Sequence, residues 1–218
     1  RALIDDRRAD PRAMPAVGGA RAVGGVPVAG ADAPHTTHIC AMDERGMAVS
    51  LTTTLGGAFG SGVVAGDTGI LLANVMTWFD PRPGLPNSIA PGKRILWAVA
   101  PAILERDGRA RLVVGAPGGR KLISAVLQTI VNVVDFGDGP QAAVDRPRVH
   151  AEGPETWIEA RVPEEVRARL AAMGHELVVR EETLASSWFG RPSAILVDED
   201  GTRRGGVNRM KSSVAAGY

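Results

Sequence analysis

Apolar and polar residues alternate along Thr36–Met42 and again along Ala48–Thr54, two runs rich in β-branched side chains on either side of Asp43-Glu44-Arg45-Gly46. Side chains on a strand point to opposite faces in turn, so this pattern around a polar, glycine-containing turn predicts a β-hairpin. A turn centred near residues 44–46 sets Thr36 opposite Thr53 or Thr54. Further on, Val63-Val64-Ala65 and Ile70–Val75 read as short buried strands, and Leu96–Ala100 with Arg111–Gly115 as a strand pair around Arg106-Asp107-Gly108. Leu122, Ile123, Val126, Leu127, Ile130, Val131 and Val134 recur at helical spacing and predict a helix over 119–135. Pro117-Gly118-Gly119 opens that helix and Gly137 ends it. A shorter helix begins at Pro163, turns Leu170 and Met173 inward and stops at Gly174. Two late strands, Glu176–Arg180 and Ser193–Val197, complete an α+β pattern without internal repeats.

Residues 1–35 differ from the rest. They are rich in Ala, Gly, Pro, Arg and Asp, and Gly18-Gly19 and Gly24-Gly25 break any periodicity, so the segment reads as linker. The ordered domain is expected over 36–218. At 218 residues the chain suffices for one good core. With 25 basic and 24 acidic residues, no net field points to nucleic acid or an anionic membrane. No run approaches the length of a membrane-spanning helix. Cys40 stands alone and reads as a small buried filler. No His, Cys, Asp and Glu spacing suggests a metal site, and no cofactor motif is present; the Gly-rich stretch at 56–62 lacks the Lys-Ser/Thr of a phosphate loop.

The chemistry concentrates at Thr36. A backbone cut before it would leave one residue carrying both a nucleophile, its Oγ, and a base, its α-amine. An α-amine ordinarily titrates at about pH 7.7–8.0, which suits general-base work near neutrality. A hydroxyl opposite, from Thr53 or Thr54, would hold that Oγ, although cross-strand threonine pairs also occur for stability alone. Gly118 and Gly119, at a strand-to-helix junction, let backbone N–H groups approach a developing oxyanion, and they equally suit a plain tight turn.

Thr36-Thr37-His38 and Ala48–Thr54 resemble the start of the small subunit of γ-glutamyltranspeptidases. So, in the same order, do Phe59–Gly66, Gly69–Leu72, Pro91-Gly92-Lys93-Arg94, Gly115-Ala116-Pro117-Gly118-Gly119 and the closing Ala216-Gly217-Tyr218. The resemblance implies a four-layer αββα sandwich of the N-terminal-nucleophile hydrolase type. It implies a precursor that cuts itself between His35 and Thr36, with residues 1–35 the tail of a large partner subunit. It assigns Thr36 as nucleophile, Thr54 as its hydroxyl partner and Gly118-Gly119 as the oxyanion hole, acting on a small amide or γ-glutamyl substrate.

The substrate-gripping positions depart from the family. Where relatives place an Asn two residues after the second threonine, this chain has Gly56. The family Gln and Asp that hold the substrate ammonium become Val75 and Trp78, and the Ser-Ser pair that holds its carboxylate becomes Trp97-Ala98. A buried ammonium without a charge-assisted partner is costly. The catalytic set is therefore expected to be kept while acyl specificity shifts to a bulkier, more apolar group. Asp80, two residues past Trp78, is a candidate to take over ammonium binding. True γ-glutamyl transfer or glutathione hydrolysis, and a non-catalytic fragment or binding module, are the alternatives.

Overall fold

The computed structural model describes residues 36–186, 188–210 and 213–217. The expected tail over 1–35, with His35, lies outside the described residues. Strand β1 (Thr36–Met42) pairs antiparallel with β2 (Ala48–Thr54), and the register sets Thr36 opposite Thr54. Both strands alternate half-buried and exposed positions. The inward face carries Thr36, His38, Cys40, Ser50, Thr52 and Thr54. The outward face carries Ile39, Val49 and Leu51, each about half exposed.

Beneath this ribbon lies a four-stranded antiparallel sheet in the order β3-β4-β8-β9, formed by Ala102–Arg106, Arg109–Gly115, Ser193–Val197 and Arg203–Val207. The two sheets meet through polar contacts. Ser50 Oγ donates to the Val114 carbonyl at 2.9 Å, and Cys40 Sγ lies 3.6 Å from the carbonyl oxygens of Val113 and Ser193. Gly115 permits the approach, because a Cβ there would overlap the His38 imidazole.

On the other side of the sheet pack α1 (Lys121–Val134) and α2 (Pro140–Asp145). Leu112, Val114, Ala116, Leu122, Val126, Val144 and Ala194 form the core between them. Each large apolar side chain fully buried there contributes about 1.5–3 kcal/mol. A mixed three-stranded sheet, β5 (Val149–Ala151), β6 (Glu155–Glu159) and β7 (Glu176–Arg180), flanks α1, with α3 (Glu164–Ala172) against β7. The α+β expectation therefore corresponds, among the described residues, to ribbon, sheet and helices in three layers.

Two sequence expectations need correction, and four elements go beyond them. Leu96–Ala100 is not the strand that pairs with β4; β3 begins after Pro101, because the two-residue turn Asp107-Gly108, both at positive φ, pairs Arg106 directly with Arg109. Val63–Ala65 and Ile70–Val75 share one isolated bridge, Val64 to Leu71, and Val63, Val64, Ile70 and Leu72 are exposed. Finally, α2, β5, β6 and β9 have no counterpart among the expected elements.

His38 sits between the two sheets, with Nδ1 2.8 Å from Thr52 Oγ1 and Nε2 3.2 Å from Cys40 Sγ. Burial pushes its pKa down to about 4, and burial likewise raises the Cys40 thiol to about 11. The folded state thus holds the imidazole neutral, so its contribution to stability is present above pH 6.5 and is lost as pH falls towards 4. Because the ring is only partly buried, solvent screening reduces the effect to about 1–2 kcal/mol. Urea midpoints of the full-length protein between pH 7 and pH 4.5 are expected to show a slope that His38→Asn flattens.

Candidate active site

The hairpin register decides where the Thr36 hydroxyl sits. Thr36 and Thr54 end their strands on the inward face, and Thr36 Oγ1 lies 3.1 Å from Thr54 Oγ1. Thr54 Oγ1 also accepts the Gly56 N–H at 2.9 Å. Thr54 Oγ1 thus accepts twice, from the Thr36 hydroxyl and from the Gly56 N–H, and these two bonds fix it opposite Thr36.

Gly118 and Gly119 lie between β4 and α1, with φ of +140° and +60°. Both values belong to glycine, and Gly118 has a second reason: a Cβ on it would lie 2.7 Å from Gly190 Cα. The turn presents its backbone at the start of α1, where the helix dipole favours negative charge.

One cavity of about 510 Å³ joins these parts. Its walls include Thr36, Gly118 and Gly119 together with Gly56 and Trp78. Trp78 is backed by Trp97, whose ring centroid is 5.0 Å away at a tilt of 56°. Asn87 binds the two indole-bearing segments together, donating to the Trp78 carbonyl at 2.6 Å and accepting the Leu96 N–H at 3.0 Å. Gly56 holds more than a missing side chain. At φ +87° its Cβ would overlap the Asn74 carboxamide, which instead accepts the Gly57 N–H at 2.8 Å.

Val75, Trp97 and Ala98 stand outside the cavity wall, Val75 in the 3₁₀ turn Val75–Trp78. Asp80 is not brought to the cavity either. Its carboxylate is engaged by Arg82, through Nε at 2.9 Å, Nη2 at 2.6 Å and the backbone N–H at 2.9 Å, and these bonds hold its pKa at about 2. It caps its own turn.

The opposite wall has no counterpart among the sequence expectations. It consists of Arg120 and Lys121 at the start of α1 and of His150, Glu152, Pro154, Glu155 and Trp157 around β5 and β6. His150 is buried, with Nδ1 2.9 Å from Ser124 Oγ and Nε2 3.5 Å from Glu152 Oε2. The His150 contact, then the ion pair with Arg120, keeps the Glu152 carboxyl below its ordinary range. An ionised carboxylate only accepts, so Nε2 is the ring nitrogen that donates towards Glu152. Gln128 continues the same helix stripe, exchanging bonds with Val149 at 2.8 and 2.9 Å. Ser124 and Gln128, spaced at i and i+4, thereby stitch α1 to β5, while Arg120 just before the helix holds Glu152 just beyond the strand. Only Arg120 and Lys121 have a local signal, as direct neighbours of the diglycine; the others arrive by tertiary packing.

A strand-opening threonine with a bonded hydroxyl partner, facing a left-handed diglycine turn across one cavity, is an arrangement of the N-terminal-nucleophile hydrolase class. The chain belongs to the γ-glutamyltranspeptidase family, whose sequence model, described as gamma-glutamyltranspeptidase, matches residues 1–218. It is 39% identical over 178 residues to the acylase ACY 1 proenzyme of a Pseudomonas species, covering 82% of this chain and 31% of that protein. It is 38% identical over 185 residues to the glutathione hydrolase proenzyme of Bacillus subtilis subsp. natto, covering 84% and 31%. The chain thus spans about a third of the length of these curated relatives. Among solved structures it resembles γ-glutamyltranspeptidase from Pseudomonas nitroreducens complexed with L-DON, with TM-score 0.70 and 33% identity over 84% of this chain and 99% of that one.

Proposed function

We propose that residues 36–218 are the catalytic small-subunit region of an enzyme that cleaves its own precursor between His35 and Thr36. The mature enzyme then hydrolyses or transfers an amide-linked acyl group through a Thr36 acyl-enzyme. In the first reaction Thr36 Oγ attacks the His35 carbonyl, and the His35–Thr36 C–N bond breaks to free the Thr36 amine as an ester forms on Oγ. Water then hydrolyses that ester to a His35 carboxylate and a free Thr36 hydroxyl. In the second, that amine takes the Oγ proton as the hydroxyl attacks the substrate carbonyl, and the N–H groups of Gly118 and Gly119 receive the oxyanion. The observation that carries the reading is the Thr36 hydroxyl, bonded to Thr54 Oγ1 at 3.1 Å, in the same cavity wall as the diglycine turn.

The acyl group we propose is not γ-glutamyl but a less polar one. Trp78 stands in the wall where the family's ammonium-binding carboxylate is expected, and Asp80 is already spent on Arg82. The acylase relative fits such a shift. The partner is the large subunit of the same precursor, which would lie over the exposed Ile39, Val49 and Leu51 and complete a four-layer αββα sandwich.

Two measurements test this. The intact mass of the full-length gene product should show a subunit beginning at Thr36; an uncut wild-type chain favours a binding fragment without catalysis. Mature enzyme should hydrolyse glutaryl p-nitroanilide better than γ-glutamyl p-nitroanilide, and the reverse order restores the γ-glutamyl reading. Trp78→Asp is expected to move the kcat/KM ratio of the two anilides towards γ-glutamyl by about 10- to 100-fold, the worth of one charge-assisted hydrogen bond.

A further inference from the structure

The diglycine turn has a second side. Outside the cavity wall, the segment Phe189-Gly190-Arg191 crosses it with backbone against backbone. A Cβ on Gly118 would lie 2.7 Å from Gly190 Cα. A Cβ on Gly190 would in turn lie 2.7 Å from Leu122 Cα and 2.9 Å from both Ala125 Cβ and the Lys121 carbonyl oxygen. Only two glycines can touch at this point.

Next to that contact, the Arg191 N–H donates to the Pro117 carbonyl at 3.0 Å. The described chain has no cis peptide bonds, so the Pro117 C=O and the Gly118 N–H share one plane and point in opposite directions. Whatever holds the carbonyl therefore aims the N–H. The segment is itself anchored. Phe189 and Arg191 are buried, the Arg191 guanidinium donates to the Ser186 carbonyl, and the Asn208 N–H donates to the Pro192 carbonyl at 3.2 Å. Trp188 packs edge-on against the cavity residue Trp157 at 5.7 Å, with the Arg180 guanidinium 4.3 Å over the Trp188 ring.

We propose that Phe189-Gly190-Arg191 is a positioning strap that aims the Gly118 N–H into the cavity and so governs how strongly the site holds a tetrahedral oxyanion. The proposal rests on the reading of Gly118 and Gly119 as oxyanion donors. A strap of this kind changes affinity for the transition state and leaves affinity for the ground state alone. Gly190 and Arg191 touch no substrate in this scheme and act through the turn.

The test uses full-length, processed enzyme carrying Gly190→Ala, and Arg191→Met as a milder variant should Gly190→Ala fail to fold. The substrate is whichever of the two anilides the wild type turns over. The boronic acid of the same acyl chain serves as tetrahedral probe, and the matching free carboxylic acid as ground-state probe. The expected result is a fall in kcat of about 10- to 100-fold, a boronic acid Ki raised in the same proportion, and KM and carboxylic acid affinity within about twofold of wild type. Equal losses in all four quantities would mean generic packing damage and overturn the proposal. So would folded variants whose kcat and boronic acid affinity stay at wild-type values. A wild type that holds the boronic acid no better than the carboxylic acid would remove the oxyanion reading itself, and the strap with it.

Discussion

Thr36→Ala in the full-length precursor is expected to leave the chain uncut and to lower anilide turnover by a factor of at least about 1,000. The substitution removes the only atom at this position able to attack a carbonyl. The oxyanion turn and the cavity remain, so residual activity above the uncatalysed rate is expected and substrate binding persists. Because Thr36 is half exposed at a strand end, the protein should stay folded, with a melting temperature close to wild type. Thr36→Ser keeps the Oγ and should retain both cutting and turnover at reduced rates. Mass spectrometry of the purified product and initial rates on the two anilides read these outcomes directly. Full turnover by Thr36→Ala would place the nucleophile elsewhere.

The second large effect is expected at Gly118, and the contrast with its neighbour makes it informative. At φ +140°, alanine is strained whatever the space around it, and its Cβ would press on Gly190 Cα at 2.7 Å. The turn must move, and the N–H it presents moves with it. Gly118→Ala is therefore expected to cut kcat by about 100- to 1,000-fold, the range for loss of one oxyanion donor, and to lower the melting temperature. Gly119 has φ +60° and nothing within 4 Å of an added Cβ. Alanine there costs about 1–2 kcal/mol of backbone strain without displacing a neighbour, so Gly119→Ala should lose far less activity. Kinetics and thermal melts of the two variants side by side test this. Equal losses would show that backbone freedom, and not the contact with Gly190, sets the turn.

The parts of the site that local rules control are legible in the sequence. The Asp43–Gly46 turn sets the hairpin register, and with it the meeting of Thr36 and Thr54. Pro117-Gly118-Gly119 marks the entry to α1 because helix periodicity begins immediately after it. The family resemblance points to Trp78 as a pocket residue, and its place in the wall follows from a Pro-rich loop that Asn87 ties down.

What escapes the sequence has a physical reason in each case. His150 lies on a three-residue strand, too short for a periodic signal, and reaches the cavity only because Ser124 and Gln128 of α1 hold β5 in place. Gly190 is one glycine in an irregular loop, and its meaning appears only when Gly118 lies beneath it. The misplaced strand at Leu96–Ala100 shows the opposite failure. An apolar run suggests pairing, but the two-residue turn at Asp107-Gly108 gives the ladder to the residues nearest it.

The Thr36–Thr54 pair also bears on the order of events during synthesis. Its two hydroxyls are 18 residues apart, a span that a hairpin closes within microseconds. The diglycine turn, by contrast, takes its shape from Gly190 and Arg191, which leave the ribosome some seconds after Pro117. On the proposed reading the nucleophile is thus ready early, while the cradle for the oxyanion waits for the segment at 189–191. On that reading, with the same turn receiving the oxyanion of self-cleavage, the cut would act as a checkpoint on assembly: a chain that has not closed Phe189-Gly190-Arg191 over the turn stays in one piece.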